Sequence, residues 1–332
     1  MKTAIVILNW NGKKLLEQFL PSVVNFSSED AQVYVADNAS TDGSIEFIKQ
    51  YFSSVKIVTN TENGGYAKGY NDALQHIDAD IYCLVNSDIE VTENWLTPII
   101  DTFEKEPDTA IIQPKILDFK DKTKFEYAGA AGGFIDAFGY PYCRGRLFND
   151  LETDNGQFND TTEIFWASGA CFFIRSKVFH QLNGFDEDFF AHQEEIDLCW
   201  RAKNSGHTIK YVGTSTVYHV GGATLDTLNP RKTFLNFRNS LLNLVKNLPL
   251  SKVFPIIFSR LVLDGLAGIK FLLEGKLKHI WAIVKAHFSF YAHLPTFLKK
   301  RKKLPKESNY ALHTSVVWQY YARRRKKFED LR

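Results

Sequence analysis

An α/β fold with a mostly parallel sheet, followed by a basic helical region, is what this sequence predicts, and three observations predict it. Apolar runs of strand length alternate four times with segments at helical spacing before Asp88 is reached. Each predicted strand is followed by a polar cluster, which contains glycine in three of the four cases. The charge is divided. Residues 231–332 hold 22 Lys and Arg against 5 Asp and Glu, a net of +17, whereas residues 1–230 hold 18 against 33, a net of −15.

Taken in order, residues 4–8 form a first strand, and Asn9-Trp-Asn-Gly12 breaks it with a turn signal. The run before Asn9 is too short for the apolar segment of a signal peptide. Leu15, Leu16, Phe19, Leu20 and Val23 mark a helix over 13–24. Residues 32–36 return to strand, and Asp37-Asn-Ala-Ser-Thr-Asp-Gly43 follows. A short helix over 44–52, a strand over 55–58 and the Asn63-Gly-Gly-Tyr-Ala-Lys-Gly69 segment come next, the last opening a helix to about Ile77. Ile81-Tyr-Cys-Leu-Val85 reads as a strand buried on both faces, capped by Asn86, Ser87 and Asp88. A helix over 95–103 and a strand over 110–117 follow, and 118–158 reads as a long excursion whose Tyr and Phe residues wall the active face. Residues 165–174 feed another buried strand. A helix starting near Glu194 ends at Gly206, a strand covers 208–212, and Val217-Tyr-His-Val-Gly-Gly-Ala-Thr224 closes the body.

A length of 332 residues suggests two domains, 1–230 and 231–332, and the composition, 45% hydrophobic and 23% charged, is that of a globular chain. Cys83, Cys143, Cys171 and Cys199 contain no C-x-x-C pair, so neither a zinc ribbon nor a disulfide framework is expected, and reduced cytoplasmic thiols are.

Parallel strands bring their carboxyl ends to one sheet edge, where open α/β sheets bind ligands. That edge would gather Asn9, Asn11, Asp37, Asn38, Ser40, Asn63, Gly64, Gly65, Lys68, Asn71, Asn86, Ser87 and Asp88 into a crevice suited to a nucleotide. The glycines run G-G-x-x-x-G, not the G-x-G-x-x-G of a dinucleotide site, and no Walker loop is present. Asp37 either closes an Asx turn or accepts the imide N–H of a pyrimidine. Asp88 is the leading metal candidate, because a hard carboxylate beside a diphosphate holds Mn2+ or Mg2+ while phosphate oxygens complete the shell. His219 is a second ligand or a core residue. Glu194, Glu195 and Asp197 either favour a helix dipole or include a general base set among Phe189, Phe190 and Trp200.

Five segments taken together, Ile5-Val-Ile-Leu-Asn-Trp-Asn-Gly12, Asp37 to Gly43, Asn63 to Asn71, Leu84-Val-Asn-Ser-Asp88, and Gly184-Phe-Asp through Glu195-Ile-Asp-Leu-Cys-Trp-Arg201, resemble glycosyltransferase family 2. They are most similar to its rhamnosyltransferase-like branch, and Thr233-Phe-Leu-Asn-Phe-Arg-Asn-Ser-Leu241 is similar to that branch's arginine-asparagine helix. The resemblance implies a GT-A fold, a nucleoside diphosphate sugar donor, a divalent cation and inversion at the anomeric carbon. It places Asp37 at the base, Asn86-Ser-Asp88 where the family has Asp-x-Asp, and Glu195 as the catalytic base with Glu194 open. Trp166, Gly169 and Ala170 would shape the sugar pocket. Asn86 in place of the first aspartate leaves Asp88 as the ligand, and Glu-Glu in place of Glu-Asp lengthens the reach to the acceptor. A nucleotidyltransferase and a noncatalytic sugar-nucleotide binder are the alternatives.

The basic tail is read as amphipathic helices. Arg260, Asp264 and Lys270 interrupt the apolar run over 253–273, so no stretch reaches the ~18 residues of a spanning helix. Its aromatics and its Lys299-Lys-Arg-Lys-Lys303 and Arg323-Arg-Arg-Lys-Lys327 runs fit docking on an anionic membrane surface rather than nucleic acid. The expected location is cytoplasmic, on the inner face of the cytoplasmic membrane, near a lipid-linked glycan acceptor. The same helices would alternatively bury a homodimer interface.

Overall fold

The computed structural model describes residues 1–27, 29–221, 229–301, 306 and 309–331. Residues 222–224 of the expected closing segment, and Lys302 and Lys303 of the first basic run, lie outside the described residues.

The expected alternation forms the first half of a sheet. Strands β1 (Thr3–Asn9), β2 (Ala31–Asp37), β3 (Lys56–Thr59) and β4 (Ile81–Asn86) pair in parallel, connected by α1 (Lys13–Asn25), α2 (Ser44–Tyr51) and α3 (Gly65–Leu74). Residues of β1 alternate between two cores: Ala4 and Val6 pack on one face, Ile5 and Ile7 on the other. Burial on both faces explains the continuous apolar runs.

After β4 the chain turns at Ser87 and Asp88 into β5 (Ile89–Val91), then forms α4 (Thr97–Lys105) and β6 (Thr109–Asp118). The 118–158 excursion holds a small antiparallel sheet of β7 (Gly133–Ile135), β8 (Pro141–Cys143), β9 (Arg146–Leu147) and β10 (Asp150–Leu151). Three of the aromatics expected to wall the active face pack elsewhere. Phe134 and Tyr142 pack on Phe328, and Phe148 packs on Tyr320, so the rings hold the C-terminal segment instead.

Strand β11 (Thr161–Glu163) precedes β12 (Cys171–Arg175), α5 (Ser176–Gln181), α6 (Glu194–Asn204) and β13 (Thr208–His219). The completed sheet runs β11-β13-β6-β12-β4-β1-β2-β3, with β5 also on β13. Strand β12 is antiparallel to both neighbours, β4 and β6. It therefore begins at the edge where β4 ends, and this placement builds the site.

Three long helices follow: α7 (Pro230–Asn247), α8 (Leu250–Leu273) and α9 (Leu277–Arg301). Leu241, Leu242 and Val245 of α7 share a core with Phe290 and Phe297 of α9 and with Phe189 of the body. Lys246 meets Asp186 at 2.6 Å and Asp197 at 2.9 Å, and Lys300 meets Asp186 and Asp188. One anionic surface met by the basic region is thus its own catalytic body.

Helix α8 is inverted. Phe254, Phe258, Val262, Leu266, Ile269 and Leu273, spaced three or four apart, form an exposed stripe, while Arg260 and Asp264 are buried. The Arg260 guanidinium lies 3.9 Å from the Tyr140 ring centre and donates to Phe138 O, and Asp264 lies 3.0 Å from His287 Nε2. Two of the three charges that break the apolar run, Arg260 and Asp264, point inward, and Lys270 stays exposed. Helix α9 likewise exposes Leu277, Trp281, Phe288 and Tyr291. Among the described residues no helix is long and apolar enough to cross a membrane.

The packing of α6 on α7 depends on Asp197, which is fully buried and accepts from Arg201 Nε (2.7 Å), Lys246 Nζ (2.9 Å) and Asn247 Nδ2 (2.9 Å). Burial alone would raise its pKa, but Arg201 and Lys246 hold it at about 2. Asp197→Ala strands these cations, and chemical denaturation at pH 7 should show a loss of about 3–5 kcal/mol. Because the folded pKa is lowered, the native stability from Asp197 is full above pH ~4 and is lost as the pH falls toward 2. A loss under about 1 kcal/mol on substitution would contradict this role.

Candidate active site

Register brings the loops together, since Leu8 stands opposite Asn86 and Asn9 opposite Asp37. Asn9 is buried, and its amide donates to Asp37 Oδ1 (3.0 Å) and Ser40 Oγ (3.1 Å). Ser40 N donates to Asp37 Oδ2 (2.8 Å), and Asn11 Oδ1 accepts from Thr41 N (2.8 Å). Both Asp37 oxygens are therefore engaged inside the loop, where the residue acts as a brace. Asn38 extends the network: its Nδ2 donates to Gly65 O (3.0 Å) and its Oδ1 accepts from Asn60 Nδ2 (2.6 Å). Position 69 must be glycine here, because a Cβ would lie 2.6 Å from Asn38 Nδ2.

Three residues expected at the donor, Lys68 and Asn71 at the nucleotide and Trp166 at the sugar, have protein partners in this structure. Lys68, in the first turn of α3, pairs with Asp72 at 2.6 Å. Asn71 ties α3 to the chain before α6: its amide donates to Phe185 O (2.9 Å) and Glu187 Oε1 (3.0 Å) and accepts from Phe185 N (2.9 Å). Trp166 is a core residue, its indole N–H donating to Phe134 O at 2.9 Å. Asn63, by contrast, shapes the glycine turn by accepting from Gly65 N (3.0 Å).

Asp88 and His219 meet because β5 pairs with the end of β13, Ile89 opposite His219. His219 Nε2 lies 3.2 Å from Asp88 Oδ1, and its Nδ1 lies 3.3 Å from Glu126 Oε2. Burial alone would lower the pKa of His219, but the two carboxylates raise it to about 10. This is a buried place where positive charge is stabilised. A carboxylate with an imidazole suits a divalent cation that takes its other ligands from a diphosphate. Among the described residues no group of three or more His, Cys, Asp or Glu encloses a cation unaided.

The same edge carries the acidic pair. Asn86 N donates to Ala170 O (2.9 Å), so the start of β12 is tied to the end of β4. Gly169 O accepts from Tyr66 OH (2.8 Å), and a Cβ on Gly169 would stand 3.8 Å from Glu195 Cβ. Residues 169 and 170 thus bridge Asn86-Ser-Asp88 to Glu195. Glu194 and Glu195 open α6 after Gln193, which caps it at φ +76. Among the described residues the Oε2 atom of each is buried without a hydrogen-bond partner. Burial raises the pKa of Glu195 to about 7, held back by backbone amides at the helix start. Burial and then Glu195 itself push Glu194 well above the carboxylate range. Asp197 is excluded as the base by its ion pairs.

Tyr66, Glu126, Gln193 and Asn239 were missed by sequence reasoning as site residues. Their partners lie between one helical turn and about a hundred positions away, and no local pattern marks them. The arginine-asparagine pair at 238–239 was the one available signal.

The sequence profile described as Glycosyl transferase family 2 matches residues 4–182. An N-acetylglucosaminyl-diphospho-decaprenol L-rhamnosyltransferase of Mycobacterium tuberculosis is 25% identical over 231 residues, covering 65% of this chain and 75% of that one. The low-salt glycan biosynthesis hexosyltransferase Agl10 of Haloferax volcanii is 22% identical, covering 83% and 87%. Among solved structures, S. aureus TarS 1-349 in complex with UDP-GlcNAc has a TM-score of 0.57 at 15% identity, covering 91% of this chain and 92% of that one. The mannosyltransferase PcManGT from Pyrobaculum calidifontis, with GDP-Man and Mn2+, has a TM-score of 0.53 at 14% identity, covering 91% and 87%.

Carboxylates with raised pKa values favour the fold only while protonated, so this contribution is lost as pH rises, from about 4 through 7 for Glu195 and over a range reaching well above the usual carboxylate values for Glu194. Glu194→Gln should therefore raise Tm relative to wild type at pH 8, with the gap closing at pH 5, as read by differential scanning calorimetry. A lower Tm at pH 8 would show that the carboxylate is stabilised in its charged form.

Proposed function

Since this chain belongs to glycosyl transferase family 2 and is a glycosyltransferase with a GT-A-like fold, we propose that it moves a sugar from a nucleoside diphosphate donor to a hydroxyl of a lipid-linked glycan, inverting the anomeric carbon. The observation that carries this reading is the pair of acidic centres, Asp88 with His219 and Glu194 with Glu195, on one sheet edge and bridged by Gly169 and Ala170. A nucleotidyltransferase would leave the buried pair at 194–195 without a task.

Asp88 and His219 are the residues that would hold Mn2+ or Mg2+. Such an ion, when bound, neutralises charge on a leaving diphosphate. Glu195 takes the proton of the acceptor hydroxyl. The freed oxygen attacks the anomeric carbon from the face opposite the diphosphate, whose bond to that carbon breaks. A base near pH 7 is ionised in a useful fraction and still basic enough to accept the proton. Asn9, Asp37, Asn38 and Ser40 hold the crevice in shape, and Asn63, Gly64 and Gly65 offer the turn opening α3 to the donor. Rhamnose or another hexose as the sugar of a dTDP-rhamnose or UDP-hexose donor is supported by the relatives' names, rhamnosyltransferase and hexosyltransferase, the first of which specifies a decaprenol-linked substrate.

The outward stripes of α8 and α9 support docking on the inner face of the cytoplasmic membrane. Contiguous exposed apolar surface marks an interaction site, and the exposed Lys270, Lys278 and Lys285 on the same helices complement anionic headgroups. In co-sedimentation the protein should bind vesicles with 30% phosphatidylglycerol and release at about 0.5 M NaCl. A protein that ignores these vesicles and sediments as a concentration-dependent dimer assigns the stripes to a homodimer instead.

Glu195→Gln should lower kcat by about 10²–10⁴ while donor affinity by calorimetry stays near wild type, and wild-type kcat should fall below pH ~7. Near-normal turnover in Glu195→Gln would remove this residue as the base.

A further inference from the structure

The segment preceding the acidic pair is held in an unusual conformation. Phe190, His192 and Gln193 have φ of +66°, +67° and +76°, and none is glycine. Left-handed backbone at three of four successive non-glycine positions persists only where surrounding structure imposes it. The imposing groups lie on α7. Asn239 is fully buried, and its Nδ2 shares its hydrogens among Phe189 O (2.9 Å), Ala191 O (2.9 Å) and His192 O (2.7 Å). Arg238 Nε donates to Asn239 Oδ1 (2.8 Å), which fixes the direction of that amide, and Arg238 Nη2 donates to Asp188 O (3.2 Å) and Phe189 O (3.1 Å).

The other contacts act on the front of the segment. The Phe189 ring is buried 5.5 Å from Phe297, and Lys300 holds Asp188. Ala191 and His192, the two residues just before the helix cap, receive their α7 hydrogen bonds from Asn239. Gln193 caps α6, and Glu194 and Glu195 are its first residues. The direction in which Glu195 leaves the backbone is thus set by the φ values that Asn239 maintains. Loss of those bonds would let the segment relax toward ordinary backbone angles and swing the head of α6 away from Gly169.

We infer that Asn239, oriented by Arg238, is a positioning residue for sugar transfer, fixing through three loop carbonyls where the Glu195 carboxylate stands. The inference rests on Glu195 being the base. Asn239 itself touches no reacting atom, and its effect falls on geometry at the acceptor side, not on the crevice that takes the nucleotide.

The test uses the full chain as wild type, Asn239→Ala, Arg238→Met and Glu195→Gln. Glutamate carboxyl carbons are labelled with 13C, and the Glu195 resonance is assigned by its loss in Glu195→Gln. Nucleotide release is measured with dTDP-rhamnose, UDP-glucose and UDP-N-acetylglucosamine in the presence of Mn2+. In Asn239→Ala the Glu195 carboxyl should titrate about one pH unit below wild type as it gains solvent, a tenfold change in its proton equilibrium. The kcat for the donor that wild type turns over should fall about 10²-fold, the cost of a small misplacement of a reacting group, with the donor KM within about twofold of wild type. Arg238→Met keeps the apolar stem and should move both readouts the same way, which covers the case in which Asn239→Ala does not fold. Folded variants whose Glu195 titration stays at the wild-type value overturn the inference, including when activity drops only in proportion to the folded fraction. If Glu195→Gln retains near-normal turnover, the assignment of the base fails and this inference fails with it. If Glu195→Gln is inactive while Asn239→Ala is not, only this inference fails.

Discussion

Glu194 is buried and Glu195 half-buried at the head of α6, and among the described residues both Oε2 atoms are buried without a hydrogen-bond partner. Water would readily solvate them if the preceding segment relaxed, so the arrangement exists only because the surroundings prevent that. Below the segment, Asn239 and Arg238 hold its carbonyls. At its front, Lys246 and Lys300 hold Asp186, and Asn71 holds Phe185. One turn into α6, Asp197 anchors the helix to α7 through Lys246 and Asn247. Among the described residues, five ion pairs at Asp186, Asp188 and Asp197 flank this segment, as expected when strain at a site is balanced by interactions around it.

The second constraint is the direction of β12. A parallel strand beside β4 would have left its carboxyl end at the crevice. The antiparallel strand instead presents its beginning, so Gly169 and Ala170 stand between the metal-side loop and the acidic pair. Pairing of β5 with β13 then carries His219, the last residue of its strand, back to Asp88. The edge made by β1, β2 and β4, proposed to take the nucleotide, is thereby joined to an edge made by later parts of the chain.

These two halves differed in how far the sequence disclosed them. The βαβ alternation is local, and the strands and helices up to Asn86 fell within a few residues of the expected positions, because each apolar run is bounded by its own turn signal. Glu194 and Glu195 were legible as a pair at a helix start. Which acid was tied up structurally was not legible, since the partners that hold Asp197 near pKa 2 lie on α6 and on α7, about fifty positions away. Lys68, Asn71 and Trp166 read as ligand-binding residues by position, and nothing in the sequence signalled that Asp72, Phe185 and Phe134 are their partners within the folded chain. The tail was read as amphipathic. That its buried charges, Arg260 and Asp264, face inward while the apolar stripe faces out required knowing that Tyr140 and His287 wait on the inner side.

The central claim is that Asp88 and Glu195 serve one cavity from opposite sides. A crystal structure with Mn2+ and the nucleoside diphosphate of the best donor would test it most directly. The account predicts Mn2+ held by Asp88 and His219, the β-phosphate on that ion, and the Glu195 carboxylate facing it across a gap that fits one hexose. A metal bound away from Asp88, or a Glu195 side chain turned from the diphosphate, would contradict it.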